Sequence, residues 1–225
     1  MLAPSPRSAG SAGRPGALAA TLLAALSLLI AFIALASYIT RGFEHWTFEA
    51  LRRDDAAAAR LVARPIMLAG PQGHAPTPWP GKAGEVYLVD FIYTRCPTVC
   101  SALGAEYTRM QRTLRARFGA NSPVRLVSIA FDRAHDTPAA LQGYATTHQQ
   151  EADLWQIGTP VNAAAQNELL QSLGVVAVPD GMGGFVHNGA IHLIDASGTV
   201  RGIYALDQWP QALERALILA GARRT

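Results

Sequence analysis

The chain has 225 residues, a formal net charge of +3 and a pI near 9.1, so it is only mildly basic. Its two cysteines are too few for a disulfide framework or a four-thiolate zinc site. Several arginines lie at the two ends of the chain, and no basic stripe is interleaved with aromatic residues, so the composition predicts no nucleic-acid binding.

The N-terminal segment is apolar enough to cross a membrane. Residues 15–40 carry no charge, and residues 17–39 are almost wholly Ala, Leu, Ile and Phe, which at about 1.5 Å per residue can cross about 30 Å of hydrocarbon. Because Arg7 and Arg14 precede this run, the positive-inside rule favours a cytoplasmic N-terminus and an exported C-terminal part. A cleavable signal peptide is the alternative, since the Ala-Leu-Ala at 34–36 fits a cleavage site. The length of the run favours an uncleaved anchor.

These features divide the chain into four predicted segments. They are a cytoplasmic tail (1–16), a transmembrane anchor or signal peptide (17–39), a juxtamembrane stalk (40–63) and a folded domain (64–225). The last segment is long enough to bury a core of its own. Its first part, 64–84, is rich in Pro and Gly and predicts an irregular segment with short strands at most.

Strands and helices alternate along the predicted domain. Nearly continuous apolar runs at 85–93 and 124–131 predict strands buried on both faces. Apolar residues between them recur three and four apart and predict an amphipathic helix that ends at Gly119: Val99, Leu103, Tyr107, Met110, Leu114 and Phe118. Later elements are a helix at Pro138 capped by Thr137, a strand at 154–157, a helix from Thr159-Pro160 to Gly174, a strand pair at 185–195 and 199–206, and a helix at 209–220. This order predicts an α/β layered domain that matches a thioredoxin-like fold with extra elements.

Both cysteines lie in FIYTRCPTVC (91–100), between the first buried strand and the following helix. We expect Cys96 at the N-cap, Pro97 at the first helical position and Cys100 in the first turn, where free N–H groups and the helix dipole favour thiolates. Two thiolates at this spacing can form a disulfide or bind one soft metal ion. Two reduced core cysteines, or a disulfide that only staples the helix start, are the alternatives. Three intervening residues, instead of two, favour metal binding over a standard dithiol oxidoreductase.

A soft metal ion needs a further ligand, and the candidates are His45, His74, His135, His148, His187 and His192. The first two lie outside the predicted core. His148 falls in a helix rich in Gln and Glu and is predicted to be exposed, whereas His135 follows a strand end on the cysteine side of the sheet and stays possible. His187 and His192 share one predicted strand, and five residues apart they point to opposite faces. At most one of them can therefore meet the cysteines, and spacing alone does not choose between them.

Three stretches resemble the Sco/SenC family of membrane-anchored copper proteins: FIYTRCPTVC (91–100), VSIAFDRAHDTP (127–138) and FVHNGAIHLIDASGTV (185–200). The resemblance implies a thioredoxin-like fold and a role in building the binuclear copper centre of cytochrome c oxidase. It also implies that Cys96, Cys100 and His187 are the copper ligands, because His187 occupies the family's histidine position and His192 a place usually filled by an aromatic or apolar residue. Implied partners are the copper-bearing oxidase subunit, other copper carriers and the membrane.

The chemistry of this ligand set agrees with copper. Two thiolates and one imidazole suit Cu(I) and tolerate Cu(II), whereas zinc would need a fourth ligand and calcium or magnesium would reject sulfur. Asp132, at the end of the second buried strand, is either a hydrogen-bond acceptor beside the site or an ordinary strand-end carboxylate.

The leading hypothesis is a copper chaperone, single-pass in the cytoplasmic membrane, with its C-terminal domain in the periplasm or another extracytoplasmic space. The alternative is a thiol–disulfide oxidoreductase that reduces a partner's cysteines, an activity that the resemblance also implies for some members; a copper or redox sensor is a third option. Thioredoxin-like reductases carry a cis-proline opposite their cysteines, and His187 occupies that place here. We also expect a reversible Cys96–Cys100 disulfide, with copper binding only after its reduction.

Overall fold

The computed structural model describes residues 15–71, 75–81, 84–96 and 99–222, with the backbone alone described at positions 15, 99 and 100. Its internal contacts group the chain into two units, residues 1–51 and residues 52–225.

The first unit is dominated by the apolar helix α1 (Pro15–Ile39). Residues Gly16–Ile39 form a helix whose length and composition suffice to cross a membrane. The hydroxyls of Thr21 and Ser27 donate hydrogen bonds to the carbonyls of Ala17 and Leu23 in the preceding turn, so these polar groups are satisfied within the helix. Whether α1 is an anchor or a signal peptide stays a prediction.

A seven-stranded sheet forms the centre of the second unit, in the order β2-β1-β5-β4-β3-β8-β9. Its strands are β1 (Ile66–Ala69), β2 (Thr77–Trp79), β3 (Val86–Ile92), β4 (Val124–Ala130), β5 (Trp155–Pro160), β8 (Ile191–Ile194) and β9 (Val200–Tyr204). The central strands β3, β4 and β5 are parallel, and the outer pairings are antiparallel. A separate two-stranded sheet is formed by β6 (Ala177–Pro179) and β7 (Phe185–His187).

The helices of this part of the chain are α2 (Phe48–Ala57), α3 (Val99–Phe118), α4 (Pro138–Thr147), α5 (Ala163–Ser172) and α6 (Trp209–Leu219). On one face of the sheet, Trp155 contacts Tyr107 of α3 and Tyr144 of α4. On the opposite face, Arg52 of α2 reaches His192 of β8. Strand alternation accounts for the two faces. Trp155 is in register with Leu126 and, through it, with Leu88 of β3, whereas His192 is in register with Val89, the next residue of β3. Successive residues of a strand point to opposite faces, so Trp155 and His192 do as well.

Hydrophobic periodicity predicted the centre of this fold correctly. Strands β3 and β4 are buried along nearly their whole length, as the apolar runs require. Helix α3 ends at Phe118, and Gly119 follows with a φ of +62°, a left-handed conformation that favours glycine. Thr137 caps α4 by accepting a hydrogen bond from the Ala140 N–H, as predicted. The thioredoxin-like α/β fold is confirmed.

The predicted helix start at Thr159-Pro160 is wrong. Both residues end β5, where they pair with Ala69 and Leu68 of β1. The helix begins at Ala163 instead, and Asn162 caps it by accepting a hydrogen bond from the Ala165 N–H at 2.8 Å. A pairing with a strand about 90 residues earlier therefore overrides the local Thr-Pro signal.

The predicted strand 185–195 is also wrong, because β7 and β8 belong to different sheets. The chain leaves β7 at Asn188, whose side chain accepts from the Val176 N–H at 2.7 Å and donates to the Gly174 carbonyl at 3.0 Å. His187 and His192 consequently lie on separate strands, and the alternation argument that separated them does not apply.

Helix α2 contributes to the second unit although it lies in the predicted stalk. Its Arg52 and Ala56 are buried, and Ala63, further along the same segment, is buried as well. The boundary predicted at residue 64 stays a prediction.

Candidate metal centre

Cys96 lies in a tight turn at the end of β3. Its backbone N–H donates to the Tyr93 carbonyl at 3.1 Å, and its side chain is buried. The predicted helix position of Pro97 lies outside the described residues. Position 100 lies in the first described turn of α3. The two cysteines therefore flank a strand-to-helix junction, the arrangement that the sequence predicted.

The turn before Cys96 is held by a carboxylate from the next strand-to-helix connection. Asp136 accepts hydrogen bonds from the Thr94 N–H at 2.8 Å and from the Thr94 hydroxyl at 2.7 Å. Its other oxygen accepts from the Asp132 N–H at 2.8 Å. Burial raises the pKa of Asp136, and the hydrogen bonds from Thr94 oppose that rise. The side chain thus ties the turn after β3 to the turn after β4.

The carboxylate of Asp132 interacts with two basic side chains. Its carboxylate receives Arg95 Nη2 at 2.9 Å and contacts His135 Nδ1 at 2.9 Å. Burial pushes the pKa of Asp132 upward, but the hydrogen bonds from Arg95 and His135 outweigh it, so the pKa is lowered. The same Arg95 nitrogen donates to the Gly183 carbonyl at 2.9 Å, in the loop between β6 and β7. Asp132 therefore orients the residue directly before Cys96.

His187 lies on β7 beside the aromatic residues that follow β3 and β4. Its ring centroid is 5.3 Å from that of Phe131 and 6.1 Å from that of Tyr93. Since the Tyr93 carbonyl receives the Cys96 N–H, one residue contacts both the histidine and the cysteine turn. Burial lowers the pKa of His187, which favours the neutral imidazole that metals bind.

His192 is enclosed in the core of the domain. Its Nε2 is 3.0 Å from Arg52 Nη1 and its Nδ1 is 3.3 Å from the Val89 carbonyl. Burial and the nearby Arg52 charge lower the pKa of His192 to about 3. Both ring nitrogens are engaged on the face of the sheet opposite α3.

The remaining histidines differ in their surroundings. The prediction that His148 is exposed is wrong: it is buried, its ring lies 4.4 Å from that of Tyr144, and a Cβ at Gly104 would meet it at 2.5 Å. His135 is engaged through Nδ1 by Asp132, with 47% of its side chain exposed. His45 is partly exposed in the first unit, and His74 lies outside the described residues.

The donor set fits a soft metal ion. Thiolates and a neutral imidazole are the ligands that Cu(I) and Cu(II) accept in a low-coordinate site. The described side chains, which do not include that of Cys100, hold no group of three His, Cys, Asp or Glu residues arranged around a metal position.

Sequence reasoning missed the residues that hold this site together. Tyr93, Arg95 and the Thr94–Asp136 pair all connect the cysteine turn to other loops. The sequence did contain a signal for Asp136. Asp132 and Asp136 both follow β4, and the cysteines follow β3 at the same edge of the sheet. No comparable sequence pattern predicted the aromatic contacts of Tyr93.

The class of this protein is defined by a thioredoxin-like domain with two cysteines at a strand-to-helix junction and a partly buried histidine in contact with Tyr93, three residues before Cys96. The SCO1/SenC family model matches residues 76–218, and the chain belongs to this family.

Individual relatives agree with that assignment. A SCO1 protein homolog of Bacillus subtilis (strain 168) is 32% identical over 119 residues, which are 52% of this chain and 60% of that protein. The match thus spans less than two thirds of that relative's length.

Two solved structures show the same fold. One is BsSco, described as a member of the Sco family of cytochrome c oxidase assembly proteins with a disulfide switch; it has a TM-score of 0.61 and 23% identity over 72% of this chain and 95% of that one. The other is Bradyrhizobium japonicum ScoI with copper bound, with a TM-score of 0.54 and 24% identity over 69% of this chain and 99% of that one.

Proposed function

We propose that this chain is a membrane-anchored copper chaperone that delivers copper to, or prepares, the binuclear copper centre of cytochrome c oxidase. Its copper ligands are Cys96, Cys100 and His187. The observation that carries the proposal is the position of Tyr93, whose ring contacts His187 and whose carbonyl receives the Cys96 N–H.

Copper is the cargo of this protein, so the site must release it as well as bind it. A low-coordinate site of two thiolates and one imidazole binds Cu(I) tightly yet leaves room for an incoming thiolate of a partner. The cysteine turn follows the carboxyl end of β3, in the connection to α3. Family membership and the copper-bound ScoI relative support copper over other soft metals.

The localisation follows from α1. An uncleaved apolar helix with Arg7 and Arg14 before it anchors the chain in the cytoplasmic membrane and exports the folded domain. Partners are then the copper-bearing subunit of the oxidase and other copper carriers in the same compartment.

Thiol–disulfide exchange with a partner is the second candidate function. It is favoured by the cysteine pair at a helix start, which lowers thiol pKa values in general. The disulfide switch of BsSco supports it as well. The two functions are compatible, because the thiols must be reduced before they bind copper.

Copper titration of the reduced full chain in detergent tests the proposal. The wild-type protein binds one copper ion per chain, and Cys96→Ser or Cys100→Ser abolishes tight binding of both oxidation states. His187→Ala retains Cu(I) on the two thiolates but weakens Cu(II) binding at least tenfold, because the harder ion loses its only nitrogen ligand.

His192→Ala is the matched control, measured where circular dichroism shows that it is folded. It keeps the visible thiolate-to-copper charge-transfer band of the Cu(II) form. Loss of that band in the His192 variant with retention in the His187 variant would contradict the ligand assignment.

A further inference from the structure

The loop between β6 and β7 presents an exposed sulfur atom. Met182 has 88% of its surface exposed, whereas Met67 and Met110, the other methionines whose side chains are described, are 39% and 0% exposed. The Met182 side chain therefore contributes little to packing, and its sulfur is accessible to solutes. A thioether is a soft and polarisable donor, which is a kind of ligand that selects Cu(I).

A short path of contacts joins Met182 to the cysteine turn. The carbonyl of the next residue, Gly183, accepts a hydrogen bond from Arg95 Nη2 at 2.9 Å. Arg95 directly precedes Cys96 in the chain. One arginine side chain therefore spans the distance between the backbone beside Met182 and the turn that holds Cys96.

Hydrogen bonds hold the backbone of the loop on both sides of Met182. Asp180 Oδ1 accepts from the Met182 N–H at 2.8 Å and from the Gly184 N–H at 2.9 Å. These bonds lower the pKa of Asp180, so its carboxylate stays charged beside the thioether and attracts a cation. Gly184 approaches the cysteine turn directly, because a Cβ at this position would lie 3.1 Å from the Tyr93 hydroxyl. The loop thus holds the thioether next to the cysteine turn.

The proposed copper ligands are less accessible than Met182. Cys96 is buried, and His187 is partly buried beside the rings of Phe131 and Tyr93. A copper ion that arrives on a carrier protein brings the bulk of the carrier with it, so it first meets a donor at the surface. Met182 is the most exposed sulfur among the side chains that the structure describes.

We propose that Met182 is the entry ligand for copper: its thioether binds an incoming Cu(I) ion before the ion reaches Cys96 and His187, and binds it again on release. The inference rests on the proposed function, in which Cys96 and His187 are copper ligands.

The transfer exchanges ligands and leaves copper as Cu(I). A carrier brings the ion on its thiolates, and Met182 Sδ forms a bond to copper as one carrier thiolate leaves. The Cys96 thiol then loses its proton to solvent, its thiolate binds the ion, and the bonds to Met182 and to the remaining carrier thiolate break. The released carrier thiolates take up protons from solvent. Because a thioether is uncharged, it holds the cation more weakly than a thiolate does, so the ion moves on to Cys96.

Stopped-flow transfer of Cu(I) from its coloured bicinchoninate complex to the reduced full chain in detergent tests this role. Met182→Leu keeps an apolar side chain of similar size and removes the sulfur, so it should slow the transfer about tenfold and leave the final amount of bound copper unchanged. Met67→Leu, the same replacement on β1, is the matched control and should keep the wild-type rate. A wild-type rate in Met182→Leu would overturn the inference.

A second measurement observes the thioether itself. Ag(I) is a soft substitute for Cu(I), and the Cys96→Ser/Cys100→Ser double variant removes the thiolates that would otherwise take it up. With isotope-labelled methionine methyl groups, Ag(I) should shift the Met182 resonance and leave those of Met67 and Met110 in place. A Met182 resonance that does not move in excess Ag(I) would overturn the inference.

A purely apolar contact with the carrier is the alternative role for Met182, because the neighbouring Val178 and Val186 form an exposed cross-strand pair. Met182→Ser removes both the sulfur and the apolar side chain, and it should slow the transfer as much as Met182→Leu does. A slow serine variant beside a wild-type rate in the leucine variant would assign the apolar role and overturn the inference. A Cu(I) affinity reduced about tenfold or more in Met182→Leu would make Met182 a permanent ligand and would also overturn the entry role.

The end point of the same transfer experiment distinguishes the two proposals. Equal transfer rates for wild type and Met182→Leu, with one copper ion bound to each, would refute the entry role alone. A reduced wild-type chain that takes up no copper would refute the proposed function.

Discussion

His187 and His192 are five residues apart and meet two different environments. His187 contacts Phe131 and Tyr93 next to the cysteine turn. The guanidinium of Arg52 can only donate, so the His192 Nε2 that faces it is the acceptor and carries no proton. The remaining His192 hydrogen is therefore on Nδ1 and points to the Val89 carbonyl. Neighbouring side chains thus fix the tautomer of His192, whereas His187 lies among the aromatic side chains near the cysteine turn.

The contact between Arg52 and His192 can be tested through the stability of variants at both positions. His192→Ala should lower the free energy of unfolding by roughly 2–4 kcal/mol, because it leaves a cavity and removes a buried acceptor from a charged group. Urea unfolding of both single variants and of the His192→Ala/Arg52→Met double variant measures it.

The double variant should be more stable than the sum of the single losses predicts, by about 1–3 kcal/mol. Strict additivity would show that the 3.0 Å contact contributes nothing. Arg53→Met, a change at the exposed neighbouring position, is the matched control and should stay within about 0.5 kcal/mol of wild type.

Sequence patterns revealed the cysteines but not Arg52. A local motif places Cys96 and Cys100 between a strand and a helix, and such a junction is readable from hydrophobic periodicity. Arg52 lies in a charged stretch that looks like an exposed helix end, yet it is buried and contacts Asn188 and His192, which lie 136 and 140 positions later. Long-range burial of a charged side chain leaves no local signal.

At the scale of elements, the turn after β3 depends on the turn after β4. Asp136→Ala removes three hydrogen bonds, two of them to Thr94, and leaves buried donors unsatisfied. We expect a stability loss of roughly 1–3 kcal/mol and a Cu(II) affinity reduced about 10- to 100-fold, because the cysteine turn is no longer held.

Competitive copper titration with a chelator measures the change in affinity. Asp195→Ala is the matched control, since Asp195 organises a hairpin turn through its bonds to Ser197 and Thr199 without touching the cysteine turn. An equal loss of copper affinity in both variants would show that general destabilisation is responsible.

We expect helix α1 to remain uncleaved in the mature protein. An uncleaved anchor retains its apolar run, so N-terminal sequencing of the mature protein should begin at or near residue 1, and the protein should stay in the membrane after an alkaline wash. A mature chain that starts at Ser37 would identify α1 as a signal peptide.

The boundaries of the elements were predictable only where one pattern dominated. The periodicity of α3 and the apolar runs of β3 and β4 had no competing signal. The break between β7 and β8 was hidden, since 185–195 reads as one continuous strand and the Asn188 side chain that interrupts it bonds to Gly174 and Val176. Side-chain bonds to backbone more than ten residues away are invisible to periodicity.

At the scale of the whole molecule, two buried titratable groups lie on opposite faces of the sheet. Burial raises the pKa of Asp90 to about 7, and burial with the Arg52 charge lowers that of His192 to about 3. The folded protein therefore keeps Asp90 protonated and His192 neutral over a range in which the unfolded chain does the reverse. Their effects on stability must oppose each other between about pH 4 and 6.5.

The signs follow from the protons bound in each state. Between pH 3.8 and about 7 the folded state holds a proton on Asp90 that the unfolded chain has lost, so stability falls as pH rises, by about 4 kcal/mol in all. Between about pH 3 and 6.5 the unfolded chain holds a proton on His192 that the folded state lacks, so stability falls as pH drops, by about 5 kcal/mol. In the wild-type protein these two slopes nearly cancel.

Replacing either group should therefore leave only the pH dependence of stability that the other group causes. The two variants should deviate from wild type in opposite directions as the pH changes. Relative to wild type, Asp90→Asn gains stability as pH rises from 4 to 7 and gains nothing further above that. His192→Gln, whose amide oxygen can still accept a hydrogen bond from Arg52, should instead gain stability relative to wild type as the pH falls below 6.5. Urea unfolding at half-unit pH intervals from 4 to 8 measures both differences. Parallel pH profiles for wild type and Asp90→Asn would mean that Asp90 is ionised in the folded protein, because only a proton held on the buried carboxyl makes the two diverge.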